Sequence, residues 1–219
     1  LIRSDSKIKP MTVKRHKAGY HDRNLYQNIA SATKLREMNR NNENINDFIP
    51  YKLEDINCDI PYDISNLDSA IISKLRLMTA ENLQNISEVT EGIENRILSS
   101  ANMSYSFETL VENVKNKRYT TSKIRRMIIS ALIGFTKDIY SPMPQYIRIL
   151  GMNKVGMTIL KQAKDTCKVP IITKTADFKE QSPQFNLDLR ATNIAMLCNP
   201  IPTHRIGNAD LKKSPIIMK

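Results

Sequence analysis

A stripe of apolar side chains over residues 121–135 most strongly limits how this chain can fold. Its members recur at spacings of three and four residues: Ile124, Met127, Ile128, Ala131 and Leu132. This spacing puts them on one face of an α-helix, and that face has to be buried against other elements. The same spacing recurs in three further segments, residues 64–78, 83–98 and 106–116. The middle of the chain is therefore predicted to be a bundle of helices.

A mixed segment follows these helices. Residues 146–150 (YIRIL) and 169–173 (VPIIT) are typical of short strands, and residues 153–164 between them are typical of a helix. Such a strand-helix-strand unit is predicted to be parallel and right-handed. Residues 186–198 predict a last helix, and the Pro-containing tail from Asn199 is predicted to be loosely ordered.

The N-terminal segment has a different pattern. Residues 7–15 predict a short strand, and Ser31 predicts a helix start because a hydroxyl side chain there accepts an unpaired backbone N–H. The Asn-rich stretch 40–48 is typical of a linker. We therefore predict one domain over residues 1–45 and a second over residues 46–219. The predicted fold class is α+β and mainly α.

Charge and composition narrow the classes of partner. The 219 residues carry a formal net charge of +11, which favours polyanions such as nucleic acid or anionic lipid. No apolar run approaches the about 20 residues that span a bilayer, so we expect no membrane partner and a cytoplasmic location. Cys58, Cys167 and Cys198 are far apart and lack metal-ligand spacing, so we interpret them as structural.

The segment 114–126 (VKNKRYTTSKIRR) contains many basic residues and no acid. Its basic residues are Lys115, Lys117, Arg118, Lys123, Arg125 and Arg126. Contacts to RNA phosphates need such a cluster, and Tyr119 in its middle is a residue that stacks on a base or a ribose. A solvated helix face is the alternative interpretation, and both stay open at this point.

Two carboxylates mark the segment 90–97 (TEGIENRI). Helical spacing puts Glu91 and Glu94 on one side and Ile93 and Ile97 on the other. Paired carboxylates perform acid/base chemistry or bind a metal. They more often pair with neighbouring lysine or arginine, so the structural interpretation is the preferred one.

The stretch 12–36 combines charge with hydroxyl groups. Arg15 ends the predicted strand, and Ser31 and Thr33 open the next helix, where unpaired N–H groups favour phosphate. Arg36 adds a second positive charge. Many helices begin in this way, so a phosphate site and an ordinary helix start both remain open. Three other titratable residues of the stretch receive no role: His16, His21 and Asp22.

Six segments occur in the same order in one protein family. They are VKRHKAGYHD, IASATKLR, EGIENRI, KNKRYTTSKIRRM, YIRILGMNKVG and DLRATNIA. In these segments the chain resembles the bacterial tRNA(Met) cytidine acetate ligases, which are similar to the HIGH-motif nucleotidyltransferase superfamily. The resemblance runs from about residue 7 to about residue 198, and the six collinear segments make it specific.

The resemblance implies an ATP-dependent RNA modification. ATP, with Mg²⁺, and acetate would give acetyl-adenylate and pyrophosphate. The N4 amine of the wobble cytidine of elongator tRNA(Met) would then attack, giving N4-acetylcytidine. AMP is a good leaving group, so the protein has to position the reactants and stabilise charge, and no catalytic residue is assigned.

The resemblance also implies site residues. The residues that match the family's ATP-binding segments are Arg15, Ser31, Thr33 and Arg36, whereas Lys34 and Leu35 depart slightly from the family pattern. The residues implied to bind tRNA are Lys115, Lys117, Arg118, Tyr119, Lys123 and Arg126.

One family motif is missing from the chain. None of His16, His21 and His204 belongs to an HxGH motif. We therefore expect residues 1–45 to be the C-terminal remnant of a Rossmann-like nucleotidyltransferase domain. We also expect an association with an N-terminal segment, and no acetate adenylation by this chain alone. Two alternatives remain, a metabolic adenylyltransferase of the same superfamily and a non-catalytic RNA-binding helical module.

Overall fold

The computed structural model divides into two compact units, residues 1–61 and residues 62–219. The residues that the structure describes are 9–14, 17, 19, 22–50, 62–90, 92–141, 143–179 and 182–218. Helices far outnumber strands among them, so the mainly helical α+β fold expected from the sequence is confirmed. The functional boundary proposed near residue 45 stays a prediction.

The first unit contains helix α1, Ala32–Arg40. Ser31 caps it, because the Ser31 hydroxyl accepts a hydrogen bond from the backbone N–H of Lys34 at 3.1 Å, and the predicted helix start is confirmed. The predicted strand at 7–15 is not found in its described part, residues 9–14. Strands form only beside a partner strand, and these residues have none among the described ones.

The second unit begins with a bundle of short helices. These are α2 Asp68–Arg76, α3 Ala80–Gln84, α4 Ile93–Met103, α5 Phe107–Val114 and α6 Thr121–Ile133. Ile124, Met127, Ile128 and Ala131 of α6 are fully buried, as the apolar stripe predicts. They pack against the apolar faces of the other helices to form one hydrophobic core.

The helix predicted over 83–98 is wrong in one respect. It is two helices, α3 and α4, separated by a turn in which Ile86 pairs with Thr136 and Gly92 has a φ of +90°. Glycine adopts this left-handed conformation without steric cost. Both pieces bury apolar side chains, so periodicity alone did not distinguish two helices from one.

The parallel pairing of the predicted strand-helix-strand unit is confirmed, with shorter strands. β1 (Ile147–Arg148) pairs in parallel with β3 (Ile171–Ile172), and helix α7 (Lys154–Thr166) lies between them in sequence. A further strand that was not predicted, β2 (Gly151–Met152), is separated from β1 by two residues. The last long helix is α8, Pro183–Met196, close to the predicted 186–198.

The loosely ordered tail predicted from Asn199 is wrong. The tail contains helix α9 (Ala209–Lys212) and strand β4 (Ile216–Ile217), which pairs in parallel with β2. Buried Asp210 fastens it, because its carboxylate accepts two hydrogen bonds from Arg148, at 2.9 and 3.0 Å, and one from Thr192 at 2.7 Å. The Arg148 guanidinium holds the pKa of Asp210 below its usual value.

No helix in the described ranges has both the length and the apolar character that crossing a membrane requires.

Candidate functional site

Three arginines line a cleft beside α1 in the first unit, which we call the arginine cleft. Its lining residues are Arg23, Thr33, Arg36, Glu37, Arg40 and Asn41, and its volume is about 290 Å³. None of the three guanidinium groups has an ion pair or a hydrogen bond within the described part of the chain. Glu37 lies 3.9 Å from Lys34. The cleft therefore has uncompensated positive charge and suits a polyphosphate.

Two of the residues that line the arginine cleft were expected from the sequence. Thr33 and Arg36 were expected at a phosphate site, and both line the cleft. Arg40 follows Arg36 by four residues on the same helix, so helical spacing already put the two on one face. Arg23 precedes the helix, and no pattern in the sequence indicated its position.

Ser31 has a supporting position beside this cleft. It is buried, and its hydroxyl donates to the carbonyl oxygen of Asp22 while it caps α1. The Asp22 carboxylate in turn accepts hydrogen bonds from the Asn24 N–H at 3.0 Å and the Tyr26 hydroxyl at 2.8 Å, which lower the pKa of Asp22. Both residues thus shape the loop that leads into α1.

Four residues of the sequence interpretation that belong to the first unit lie outside the described residues: Arg15, His16, His21 and Cys58.

A second basic site lies between α5 and α6, and we call it the basic corner. It consists of Lys115, Lys117, Arg118, Tyr119, Lys123 and Arg126. The ring of Tyr119 belongs to the hydrophobic core, and its hydroxyl hydrogen-bonds the hydroxyl of Thr90. The Arg118 guanidinium lies 5.3 Å and the Lys123 ammonium 5.1 Å from the ring centroid. The ring therefore supports two cations, an arrangement that cation–π attraction favours.

Acids from other elements neutralise part of the basic corner. Lys115 lies 3.4 Å from Glu112, and the guanidinium of Arg126 donates to both carboxylate oxygens of Glu88 at 3.0 Å. The neighbouring Arg125 pairs with Glu108. The acid-free segment is thus partly compensated in space. Three cations keep no acidic partner within the described ranges: Lys117, Arg118 and Lys123.

Arg96 of α4 organises the loop that carries these cations. Its guanidinium donates to the carbonyl oxygens of Asn113, Val114 and Lys115 at 3.1, 2.8 and 2.9 Å. These are carbonyls of the last turn and end of α5, which lack partners within the helix. The sequence interpretation missed this role, because Arg96 is 18 residues from Val114 and no local pattern connects them.

Glu94 is a buried residue of the helical core. It is 2% exposed, and its Oε1 accepts a hydrogen bond from the Gln84 side-chain amide at 2.9 Å, which lowers the pKa of Glu94. It therefore shares the buried side of α4 with Ile93 and Ile97, contrary to the opposite sides predicted from spacing. Glu91 lies outside the described residues. Among described residues, no group of three or more His, Cys, Asp or Glu side chains is placed to hold a metal ion.

Comparisons with known proteins give these two sites a family context. A profile of the HIGH Nucleotidyl Transferase family matches residues 1–210. The chain is 33% identical over 231 residues to the tRNA(Met) cytidine acetate ligase of Clostridium botulinum, covering 100% of this chain and 55% of that protein. It is 33% identical over 248 residues to the ligase of the same name from Thermosipho africanus, covering 58% of that protein. The chain thus spans little more than half the length of these relatives.

Solved structures agree with the sequence comparison. The apo crystal structure of Thermotoga maritima TmcAL has a TM-score of 0.84 and 27% identity, covering 99% of this chain and 57% of that one. A structure of the same protein bound with alpha-thio ATP has a TM-score of 0.76 and covers 89% of this chain and 53% of that one. The profile match over nearly the whole chain and the shared fold lead to one conclusion: this chain belongs to the HIGH Nucleotidyl Transferase family.

Proposed function

We propose that this chain is part of an ATP-dependent tRNA(Met) cytidine acetate ligase. ATP, as its Mg²⁺ complex, and acetate give acetyl-adenylate and pyrophosphate. The N4 amine of the wobble cytidine of elongator tRNA(Met) then attacks the acetyl carbon and releases AMP, so that the product is N4-acetylcytidine. The names of the relatives and the alpha-thio ATP bound to the Thermotoga maritima protein support this assignment.

The unpaired arginines of the arginine cleft are the observation that carries the ATP part of the proposal. Arg23, Arg36 and Arg40 converge on one cavity and have no acidic partner among the described residues. Such guanidinium groups hold phosphate oxygens and offset the charge that develops as pyrophosphate leaves. Thr33 lines the same cavity and adds a hydroxyl donor. Ser31 positions this helix start, and Arg15 is proposed to extend the ATP site.

The basic corner is proposed to bind the tRNA backbone. Lys117, Arg118 and Lys123 are its unneutralised cations, and the buried Tyr119 ring keeps two of them in place. Lys115 and Arg126 are proposed to join them once phosphates compete with Glu112 and Glu88. Contacts of this kind position an RNA without reading its bases.

A chimera tests the activity. The chain replaces the matching segment of the Clostridium botulinum ligase, and the product is incubated with elongator tRNA(Met), ATP and acetate. Mass spectrometry of the digested tRNA is expected to find N4-acetylcytidine only when ATP and acetate are both present. Arg36→Ala in the chimera is expected to reduce the rate of acetylation.

Binding measurements make this test decisive. A chimera that binds tRNA and ATP but forms no acetylated cytidine would contradict the proposal. A metabolic adenylyltransferase would bind ATP and show no salt-dependent affinity for tRNA, whereas an RNA-binding module without catalysis would show the reverse.

A further inference from the structure

A cleft of about 580 Å³ lies in the second unit between the segment after α6 and helix α8. We propose that it binds one unpaired nucleobase of the RNA, and we call it the base cleft. The residues that carry this proposal are Phe135, Tyr140, Tyr146, Gln184, Leu187 and Asp188. The inference rests on the proposed function, because it supposes an RNA substrate, and it adds a place where the protein contacts a base.

Gln184 offers the base cleft a fixed hydrogen-bond donor. The side-chain oxygen of Gln184 accepts a hydrogen bond from the backbone N–H of Gln145 at 3.0 Å. The backbone N–H of Gln184 donates to the side-chain oxygen of Gln145 at 3.2 Å. A backbone N–H can only donate, so this pairing settles which end of the Gln184 amide is oxygen. The Gln184 NH₂ group has no partner among the described residues, and Gln184 is one of the residues that line the cleft.

Asp188 offers a fixed acceptor four residues further along α8. One of its carboxylate oxygens accepts from the Tyr146 hydroxyl, and the other has no hydrogen bond within the described ranges. Burial and this hydrogen bond raise the pKa of Tyr146, so Tyr146 stays a donor at neutral pH. The Tyr146 ring is itself held edge-on against Phe185, with 5.4 Å between centroids.

The walls of the base cleft suit a flat ring. Phe135 and Leu187 provide apolar surface, and Tyr140, which is 65% exposed, provides an aromatic face open to solvent. Unstacked RNA bases bind proteins by stacking on such rings and by hydrogen bonds to their edges. A volume of about 580 Å³ is in the range of small-molecule sites and leaves room for one nucleoside.

The donor and the acceptor match the edge of a base. Gln184 and Asp188 are separated by one helical turn, so they lie on the same face of α8, about 6 Å apart at their Cβ atoms. Every base has a donor next to an acceptor on its pairing edge, so the base donates to Asp188 and accepts from Gln184. Arg190 adds a cation next to one lining residue, because its guanidinium donates to the carbonyl oxygen of Ile133 at 3.0 Å.

A fluorescent base tests the base cleft directly. A short single-stranded RNA carrying one 2-aminopurine is compared with the same strand carrying an abasic site at that position. The chain contains no Trp, so the 2-aminopurine signal is free of protein emission. The full 219-residue chain is expected to bind the 2-aminopurine strand about tenfold more tightly than the abasic strand and to quench its emission.

Matched variants assign this preference to the cleft. Tyr140→Leu is expected to remove the quenching and most of the preference, whereas Tyr140→Phe keeps both. Gln184→Glu removes the NH₂ donor but keeps the oxygen that holds Gln145, so it should lose the preference while the chain stays folded. Gln162→Glu, on exposed α7, controls for the added negative charge.

The outcomes separate the two proposals. Equal binding of the two strands by the unmodified chain, or an undiminished preference in Tyr140→Leu and Gln184→Glu, would overturn the base cleft while leaving RNA binding intact. Absence of binding to either strand would overturn the RNA part of the proposed function and the base cleft with it.

Discussion

The arginine cleft and the basic corner are both positively charged, but they are built differently. The basic corner is supported by the hydrophobic core, because the ring of Tyr119 is buried beneath its cations. Arg96 hydrogen-bonds the loop of the corner, and Glu88 pairs with Arg126. The cleft lies against a nine-residue helix in which Met38 is the buried apolar side chain, and its arginines have no acidic partner among described residues. The corner is therefore organised before a ligand arrives, whereas the cleft is charged and unpaired.

This difference suggests different tasks. A preorganised surface loses little conformational entropy on binding, which suits a large RNA that has to be placed in one orientation. Unpaired arginines close to one another repel, and a polyphosphate relieves that repulsion. ATP is thus expected to stabilise the first unit, and tRNA to change the second unit little.

Removing the tether of the corner should have the largest effect. Arg96→Ala deletes three hydrogen bonds from a charged donor to the end of α5, so we expect the free energy of unfolding to fall by about 2 kcal/mol. Thermal unfolding should start about 6 °C lower, and tRNA affinity should fall.

Arg76→Ala is the matched control for this tether. Arg76 donates in the same way to carbonyl oxygens at the end of α4, those of Ala101 and Ser104, at 3.1 and 3.2 Å. It should cost similar stability and leave tRNA affinity per folded molecule unchanged. Equal losses of tRNA affinity in both variants would show that Arg96 has no special relation to the corner.

Neutralising the cleft should affect binding more than stability. Arg36→Ala with Arg40→Ala is expected to weaken ATP binding about tenfold, a loss of about 1.4 kcal/mol. The free energy of unfolding should change by no more than about 0.5 kcal/mol, because neither guanidinium has a partner in the described structure. Calorimetry and chemical denaturation measure the two quantities. A large loss of stability would mean that the arginines are structural.

The stability of the helical core should depend on pH through Glu94, which is buried and hydrogen-bonded to Gln84. Its folded-state pKa is lowered, so its ionised form stabilises the protein above the ordinary pKa of 4.5 and this contribution is lost as the pH falls through the folded-state value. Glu94→Gln keeps an oxygen for Gln84 and removes the charge. We expect a loss of about 1 kcal/mol at pH 7 that shrinks in acid, and a pH-independent difference would contradict the assignment.

Releasing a neutralised cation should have the smallest effect. Glu88→Gln frees Arg126, so tRNA affinity should rise about twofold and its salt dependence should steepen by about one counterion. The free energy of unfolding should stay nearly unchanged, since exposed ion pairs contribute little. Glu112→Gln, which frees Lys115, should behave alike, and filter binding at several salt concentrations measures both.

The predictable parts of the structure were those with local causes. The stripe on α6 and the Ser31 cap each depend on residues within a few positions, and both were expected from the sequence. The break between α3 and α4 was not predicted, because the apolar spacing of the sequence continues through the turn in Ile86 and Val89, both of which are buried.

Contacts between residues far apart in the sequence were not predicted for a different reason. Arg148 and Asp210 are 62 residues apart, and the order of the tail depends on that pair. The convergence of Arg23 on Arg36 and Arg40 likewise exists only in the folded chain. Residue type and spacing carry no trace of such pairs. Thr33 and Arg36 were therefore expected from the sequence, whereas the position of Arg23 in the cleft was found only in the structure.

One crossed titration tests the central claim that ATP and tRNA bind at separate sites. ATP and elongator tRNA(Met) are each titrated into the unmodified chain, into Arg36→Ala with Arg40→Ala, and into Lys117→Ala with Arg118→Ala. We predict that Arg36→Ala with Arg40→Ala weakens ATP binding about tenfold and tRNA binding less than about twofold. Lys117→Ala with Arg118→Ala should weaken tRNA binding about tenfold and ATP binding less than about twofold. The corner variant should also flatten the salt dependence of tRNA binding. Equal weakening of both ligands by either variant would contradict the claim.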